Sequence, residues 1–146
     1  MPAQRFMLDT NIASYIVRGP TAALARRLLA VAPASLCVSC ITQGELLHGV
    51  ERKPGAVNLR TAVGEFLSRL DILPWDSAAA TRYGVLRAAL EAGGTPLGNL
   101  DTLIAAHALS AGAVLVTNDR AFSRVAALTV ENNSVDCATG LECPAR

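Results

Sequence analysis

Lysine is nearly missing from this chain: Lys53 is the only one among 13 cationic side chains, and the other 12 are arginines. Arginine suits bidentate contacts to phosphate or carboxylate, and an enzyme that needs a lysine beside a phosphoryl group is poorly served here. The formal net charge is only +1, which excludes a uniformly basic nucleic-acid-binding surface, so any such affinity has to come from a local patch. No apolar run approaches the roughly 18 residues of a membrane span, and Met1-Pro2-Ala3-Gln4-Arg5 is not followed by a signal-peptide core. The expectation is a cytoplasmic protein without a membrane segment. Its four cysteines then read as reduced thiols. Cys37-x-x-Cys40 has zinc-ligand spacing, but no histidine lies near it, and further ligands would have to come from Cys137 and Cys143.

Aromatics make up 4% of the residues and hydrophobics 51%, so the core is built mainly of Ala, Leu, Val and Ile, as suits helices packed on a buried sheet. The 146 residues are enough for one domain with its own core. Residues 1–132 read as that domain and residues 133–146 as a tail expected to be mobile. Short apolar runs at Arg5–Leu8, Ser35–Ser39, Ile72–Trp75, Ala113–Thr117 and Leu128–Val130 read as strands. Pro74 puts the third at a sheet edge, because it lacks the donor of a central strand. Between them, helical spacing covers Ile12–Val17, Thr21–Val31, Thr42–Arg52, Val57–Leu70, Asp76–Glu91, Asn99–Leu109 and Arg120–Val125. Strands alternating with helices predict an α/β fold: a mostly parallel sheet of about five strands with helices on both faces. Ligands of such sheets bind beyond the carboxyl ends of strands, where strand order reverses.

Three acids fall at such positions. Asp9 ends the first strand, Asp119 follows the fourth, and Glu45 stands in the first turn of the helix leaving the second. Asp101 heads a helix too apolar for the surface and shares a face with Ile104 and Ala105. Each has an ordinary explanation as well: Asp9 and Asp101 as helix caps, Glu45 as a complement to the helix dipole, Asp119 as a turn residue. Taken together they make a different case. Buried carboxylates are costly unless paired or bound to a cation, and hard oxygen ligands without Cys or His favour Mg²⁺ or Mn²⁺. His48 and His107 lie in apolar helices and read as core or hydrogen-bonding residues. Phospho-aspartyl receivers and haloacid-type phosphatases also use strand-end aspartates, but Lys53 is far in sequence from any late strand.

The blocks Met7-Leu8-Asp9-Thr10-Asn11-Ile12, Gly44-Glu45-Leu46-Leu47-His48-Gly49, Gly98-Asn99-Leu100-Asp101-Thr102-Leu103-Ile104-Ala105-Ala106-His107-Ala108 and Val116-Thr117-Asn118-Asp119-Arg120-Ala121-Phe122 together resemble PIN-domain toxins of the VapC type. Leu73-Pro74-Trp75-Asp76 fits as well, and the resemblance runs from Met7 to about Asn132. It implies a PIN-domain fold and a Mg²⁺- or Mn²⁺-dependent endoribonuclease, with likeness to members that cut transfer RNA, including initiator tRNA. It further implies a homodimer neutralised by a VapB-type antitoxin, and hydrolysis that leaves a 5′-phosphate and a 3′-hydroxyl. Asp9, Glu45 and Asp101 match the family's three firmest acids. Asp119 stands where relatives carry Asp or Asn, and Asn11 and Thr117 match positions that support the site by hydrogen bonding. The segment after Thr117 is shorter than in many relatives, and Asn133 stands where relatives often have Trp.

On this reading Asp9 and Asp101 hold the principal ion while Glu45 and Asp119 orient water or a second ion. Arg18, Arg82, Arg87 and Arg124 are candidates for RNA phosphate contacts, each with a solvated helix face as the plainer alternative. An antitoxin helix would fit apolar grooves between the first helices and the Glu45 helix, with a partner arginine pairing with the acids. The non-enzymatic alternative is a PIN-fold RNA- or antitoxin-binding module whose acids bind metal poorly.

Overall fold

The computed structural model describes residues 3–19, 26–27 and 30–132. Cys137, Cys143 and the expected tail lie outside the described residues, as does most of the expected helix Thr21–Val31, of which residues 26, 27 and 30 are described as helical. Five parallel strands form one sheet: β1 (Phe6–Leu8), β2 (Leu36–Ser39), β3 (Asp71–Leu73), β4 (Val114–Thr117) and β5 (Val130–Asn132), in the order β3-β2-β1-β4-β5. Five helices are described: α1 (Thr10–Arg18), α2 (Cys40–Glu51), α3 (Val57–Ser68), α4 (Ser77–Ala92) and α5 (Asn99–Ala111), with short 3-10 turns at Pro33–Ser35 and Arg120–Arg124. Among the described residues no helix is long and apolar enough to cross a membrane.

Strand side chains alternate between two faces. Met7, Cys37 and Leu115 point to the side covered by α4 and α5, where they pack with Leu86, Leu90, Ile104 and Phe122. Leu8, Val38 and Val116 point to the opposite side, against Ile12 and Ile16 of α1 and Phe66 and Leu67 of α3. Ala13, Leu46, Val50 and Val63 close the space between α1, α2 and α3. The small residues Ala105, Ala106 and Ala108 are fully buried and let α5 lie close to the sheet.

Sheet order decides where chemistry can gather. The chain builds outward from β1 to β2 and β3, then returns through α4 and α5 to place β4 on the other side of β1. Strand order reverses between β1 and β4, and the crevice of such a sheet opens there, beyond the strands' carboxyl ends. The pairing holds Leu8 beside Val116, and the Asp9 N–H extends the ladder to the Val116 carbonyl at 3.1 Å.

Most boundaries differ from the sequence expectation by one or two residues, the third strand being Asp71–Leu73 in place of Ile72–Trp75, and three of the differences have a plain local cause. Ser39 ends β2 and itself caps α2, its hydroxyl accepting the Ile41 N–H at 3.1 Å, so no loop intervenes and the helix starts at Cys40, not Thr42. Glu45 therefore sits in the second turn of α2, not the first. The last strand begins at Val130 because Leu128 is still part of a turn, its N–H bonded to the Val125 carbonyl, and is buried in the core. Finally, α5 runs on to Ala111, where Gly112 adopts φ 63° and ends it in the left-handed conformation glycine tolerates. Pro74 follows β3, which is an edge strand.

A buried polar contact fixes α5 across the sheet end. His107 on α5 is 3% exposed, and its Nδ1 lies 2.7 Å from the Ser39 hydroxyl at the end of β2. The ring also bonds to the backbone of Pro74, which has only a carbonyl to offer, so the ring donates there and Nδ1 accepts from Ser39. Burial lowers the His107 pKa, Asp76 and the Pro74 contact opposing it, which suits a neutral ring. His48, by contrast, is exposed on α2 and not a core residue. Ser39→Ala removes the cap of α2 and the partner of a buried imidazole together. The expected loss is about 2 kcal/mol of unfolding free energy, seen as a lower urea midpoint at unchanged slope.

Candidate active site

Asp9 occupies the crevice between β1 and β4 and is 2% exposed. It is the N-cap of α1: Oδ1 accepts the Ile12 N–H at 2.8 Å. Oδ2 accepts the Thr117 hydroxyl at 2.5 Å, the short end of the range for a hydroxyl on a carboxylate. Thr117 Oγ1 in turn accepts the Asp119 N–H at 2.9 Å, and Asp119 Oδ1 accepts the Ala121 N–H at 2.9 Å, capping the 3-10 turn. One hydroxyl thus joins the ends of β1 and β4 and sets the turn that carries the next acid.

Burial pushes the Asp9 carboxyl from 3.8 up to about 6. The hydrogen bonds from Thr117 and Ile12 pull the other way, while the charges of Asp101 and Asp119 add to the rise. This repulsion places both acids in the electrostatic neighbourhood of Asp9. Asp101 lies in the first turn of α5, and its Oδ2 would stand at an ordinary contact distance, 3.7 Å, from a Cβ at Gly98, which puts the carboxylate beside the helix start. The cap position of α5 is Gly98, with no side-chain cap, so Asp101 is not the helix cap that the sequence left open.

Glu45 reaches the region from α2. Its Oε1 accepts the Thr10 hydroxyl at 2.8 Å, and Thr10 Oγ1 is 3.2 Å from the hydroxyl of Thr42, which is fully buried. Asn11 is exposed on α1, so the contact from the first turn of α1 to an acid is made by its neighbour Thr10. Sequence reasoning missed Thr10, because its partner lies 35 residues away and the closeness of α1 and α2 is a tertiary fact.

Among the described residues, no three Asp, Glu, His or Cys side chains stand close enough together to form a ready cage for a metal ion. The donor set is nonetheless of one chemical kind: carboxylate oxygens, two of whose charges raise the pKa of a third. Cations relieve such repulsion, and hard divalent ions prefer oxygen donors. Of the cysteines, the two among the described residues lie elsewhere, Cys37 being buried in the core and Cys40 Sγ accepting the Trp75 N–H at 3.3 Å.

Of the four arginines singled out, Arg124 stands nearest in connectivity to the acids, donating to the Pro96 carbonyl at 3.1 Å and so bridging the Asp119 turn to the loop before Asp101. Arg87 is engaged with Glu91 and Tyr83 on α4, each at 2.9 Å. Arg18 ends α1, roughly 13 Å along the helix axis from its start, and Arg82 is exposed on α4.

The PIN domain model matches residues 6–128. The tRNA(fMet)-specific endonuclease VapC of Shigella flexneri is 38% identical over 129 residues, covering 88% of this chain and 97% of the relative. Ribonuclease VapC2 of Haemophilus influenzae is 39% identical over 129 residues, with the same coverage of 88% and 97%. Among solved structures, VapBC2 from Rickettsia felis bound to a DNA fragment from their promoter superposes with a TM-score of 0.83 at 34% identity, covering 88% of this chain and 98% of that one.

The raised Asp9 pKa has a sign that experiment can read. Between pH 3.8 and about 6 the folded chain keeps a proton that the unfolded chain releases. The contribution of Asp9 to stability is therefore fully present below the lower value and lost as pH rises through the upper one. The shift corresponds to roughly 3 kcal/mol. With divalent cations chelated, Asp9→Asn is expected to be more stable than the parent at pH 7.5 by up to that amount, the difference vanishing near pH 4 in parallel urea titrations.

Proposed function

From its membership of the PIN-domain family, among the VapC ribonucleases, we propose that this chain is the toxin of a toxin–antitoxin pair, an endoribonuclease that hydrolyses RNA phosphodiester bonds with a divalent cation held at Asp9 and Asp101. The observation that carries the reading is the Asp9 carboxylate, buried at the β1/β4 reversal, gripped by Thr117 and crowded by the charges of Asp101 and Asp119. A carboxylate kept buried beside like charges is at a stability disadvantage that binding of a cation repays.

Mg²⁺ or Mn²⁺ suits an all-oxygen set, and when bound it supplies charge neutralisation at the scissile phosphate and a more acidic water. The protein's own part is orientation. Thr117 keeps one Asp9 oxygen fixed while the α1 backbone fixes the other. Glu45 and Asp119, on α2 and on the turn after β4, would orient water or serve a second ion. Arg124, at the end of the turn that Asp119 caps, is the one of the four candidate arginines we propose for an RNA phosphate, which the acids themselves repel.

The name of the Shigella flexneri relative points to transfer RNA, and initiator tRNA is the first substrate to try. The Rickettsia felis structure supports an antitoxin partner, since it is a VapBC2 assembly on promoter DNA. Family likeness also supports a homodimer and action in the cytoplasm. The apolar hollow of about 390 Å³ lined by Ile16, Val17 and Phe66 lies beside α1 and α3 with no residue of the Glu45 helix in its lining, unlike the groove expected from the sequence, and is a candidate seat for part of an antitoxin helix.

The antitoxin-free protein is expected to cut initiator tRNA with Mg²⁺ or Mn²⁺ and to stop when the ion is chelated. Asp9→Ala and Asp101→Asn should each lower the rate by on the order of 100-fold or more. If both variants cleave like the parent, the acids are not the site. Retained RNA or antitoxin binding with no cleavage in the parent would instead favour a non-enzymatic binding module.

A further inference from the structure

The α1 start carries more than Asp9. Thr10, the first residue of that helix, donates its hydroxyl proton to Glu45 Oε1 at 2.8 Å, and Thr10 Oγ1 itself lies 3.2 Å from Thr42 Oγ1. A hydroxyl has one proton to give, and an ionised carboxylate can only accept. With the Thr10 proton committed to Glu45, Thr42 is the donor at the second contact, so the chain of bonds runs from Thr42 to Thr10 to Glu45. Thr42 is fully buried one turn before Glu45 on α2, which holds the first donor rigidly. Glu45 needs such a hold: its terminal torsion has broad wells, and the residue is only half-buried in the second turn of α2.

We propose that Thr10, backed by Thr42, is a positioning residue of the candidate active site, fixing the Glu45 carboxylate relative to Asp9 through adjacent residues of one helix start. The proposal rests on the metal-dependent ribonuclease reading. Asp9 and Thr10 are consecutive, Asp9 is pinned by the Ile12 N–H and Thr117, and the Thr10 backbone moves with it. The acid from α2 is thus tied to the acid from β1 by one side chain. Bonds in series through hydroxyls polarise one another, which strengthens the terminal contact to the carboxylate.

Mn²⁺ alone serves as the probe, with the full chain free of partner titrated and binding read by electron paramagnetic resonance. Thr10→Val keeps the shape and loses the hydroxyl, and Mn²⁺ affinity is expected to fall by about 10-fold. Thr10→Ser restores it, and Thr42→Val, which leaves Thr10 in place, gives a smaller loss in the same direction. In a Glu45→Gln background Thr10→Val should have little further effect, because the group it positions is already changed. Thermal midpoints without metal report whether each variant folds. If Thr10→Val misfolds, Thr42→Val and Thr10→Ser carry the test. Parental affinity in Thr10→Val, or an equal loss in the Glu45→Gln background, overturns the proposal. If Asp9→Ala abolishes binding while Thr10→Val binds normally, the ribonuclease reading stands and only the positioning role fails. A parent that binds no Mn²⁺ overturns both.

Discussion

Much of this fold is arranged around one almost fully buried carboxylate. Asp9 is 2% exposed, and the Thr117 hydroxyl and the Ile12 N–H are what it receives in place of solvent. The Thr117 bond forms only if β1 and β4 are neighbours in register, with Leu8 opposite Val116. That adjacency in turn demands the return crossover through α4 and α5, and this crossover brings the start of α5, with Asp101, to the same end of the sheet. A strand order in which β4 lay elsewhere would leave Asp9 buried without its hydroxyl donor.

The core and the site make opposite demands on the polypeptide. On the α5 face, packing is apolar and close, with Ala105, Ala106 and Ala108 at no measurable exposure and His107 neutral against Ser39. At the carboxyl ends of the strands, the same sheet gathers acids, and the charges of Asp101 and Asp119 raise the proton affinity of Asp9. The rigid part holds the repulsive part in place: α5 is anchored by His107 while its first turn presents Asp101, and α2 is capped by Ser39 while its second turn presents Glu45. Strain of this electrostatic kind collects at functional sites, where a bound ligand can discharge it.

Several features were legible before any coordinates. Alternating strands and helices foretold a parallel α/β sheet, and Pro74 foretold an edge for β3, because backbone donors and side-chain periodicity are local properties. Boundaries were read less well. Ser39 serves as both strand end and helix cap, which moved α2 two residues earlier, and the buried Leu128 resembled a strand residue although it closes a turn. Apolar character reports burial, not backbone conformation, so such short runs are ambiguous. The histidines divided for the same reason: both lie in apolar helices, yet His107 faces the sheet and His48 faces solvent.

The sequence by itself determined the identities and order of the acids, the place of Asp9, Asp101 and Asp119 at element ends, and through the four motif blocks the family. It also determined that arginine, not lysine, supplies nearly all the positive charge. Only the tertiary structure decided which hydroxyl serves which acid. Thr117 meets Asp9 across 108 residues of chain, and Thr10 meets Glu45 across 35. Hydrogen bonds act over about 3 Å in space regardless of separation along the chain, so partners this remote are set by sheet order and helix packing and leave no spacing pattern to read. The buried carboxylate at the strand reversal is where the two kinds of information meet. Its residue type was written in the sequence, and its proton affinity was set by what the fold placed around it.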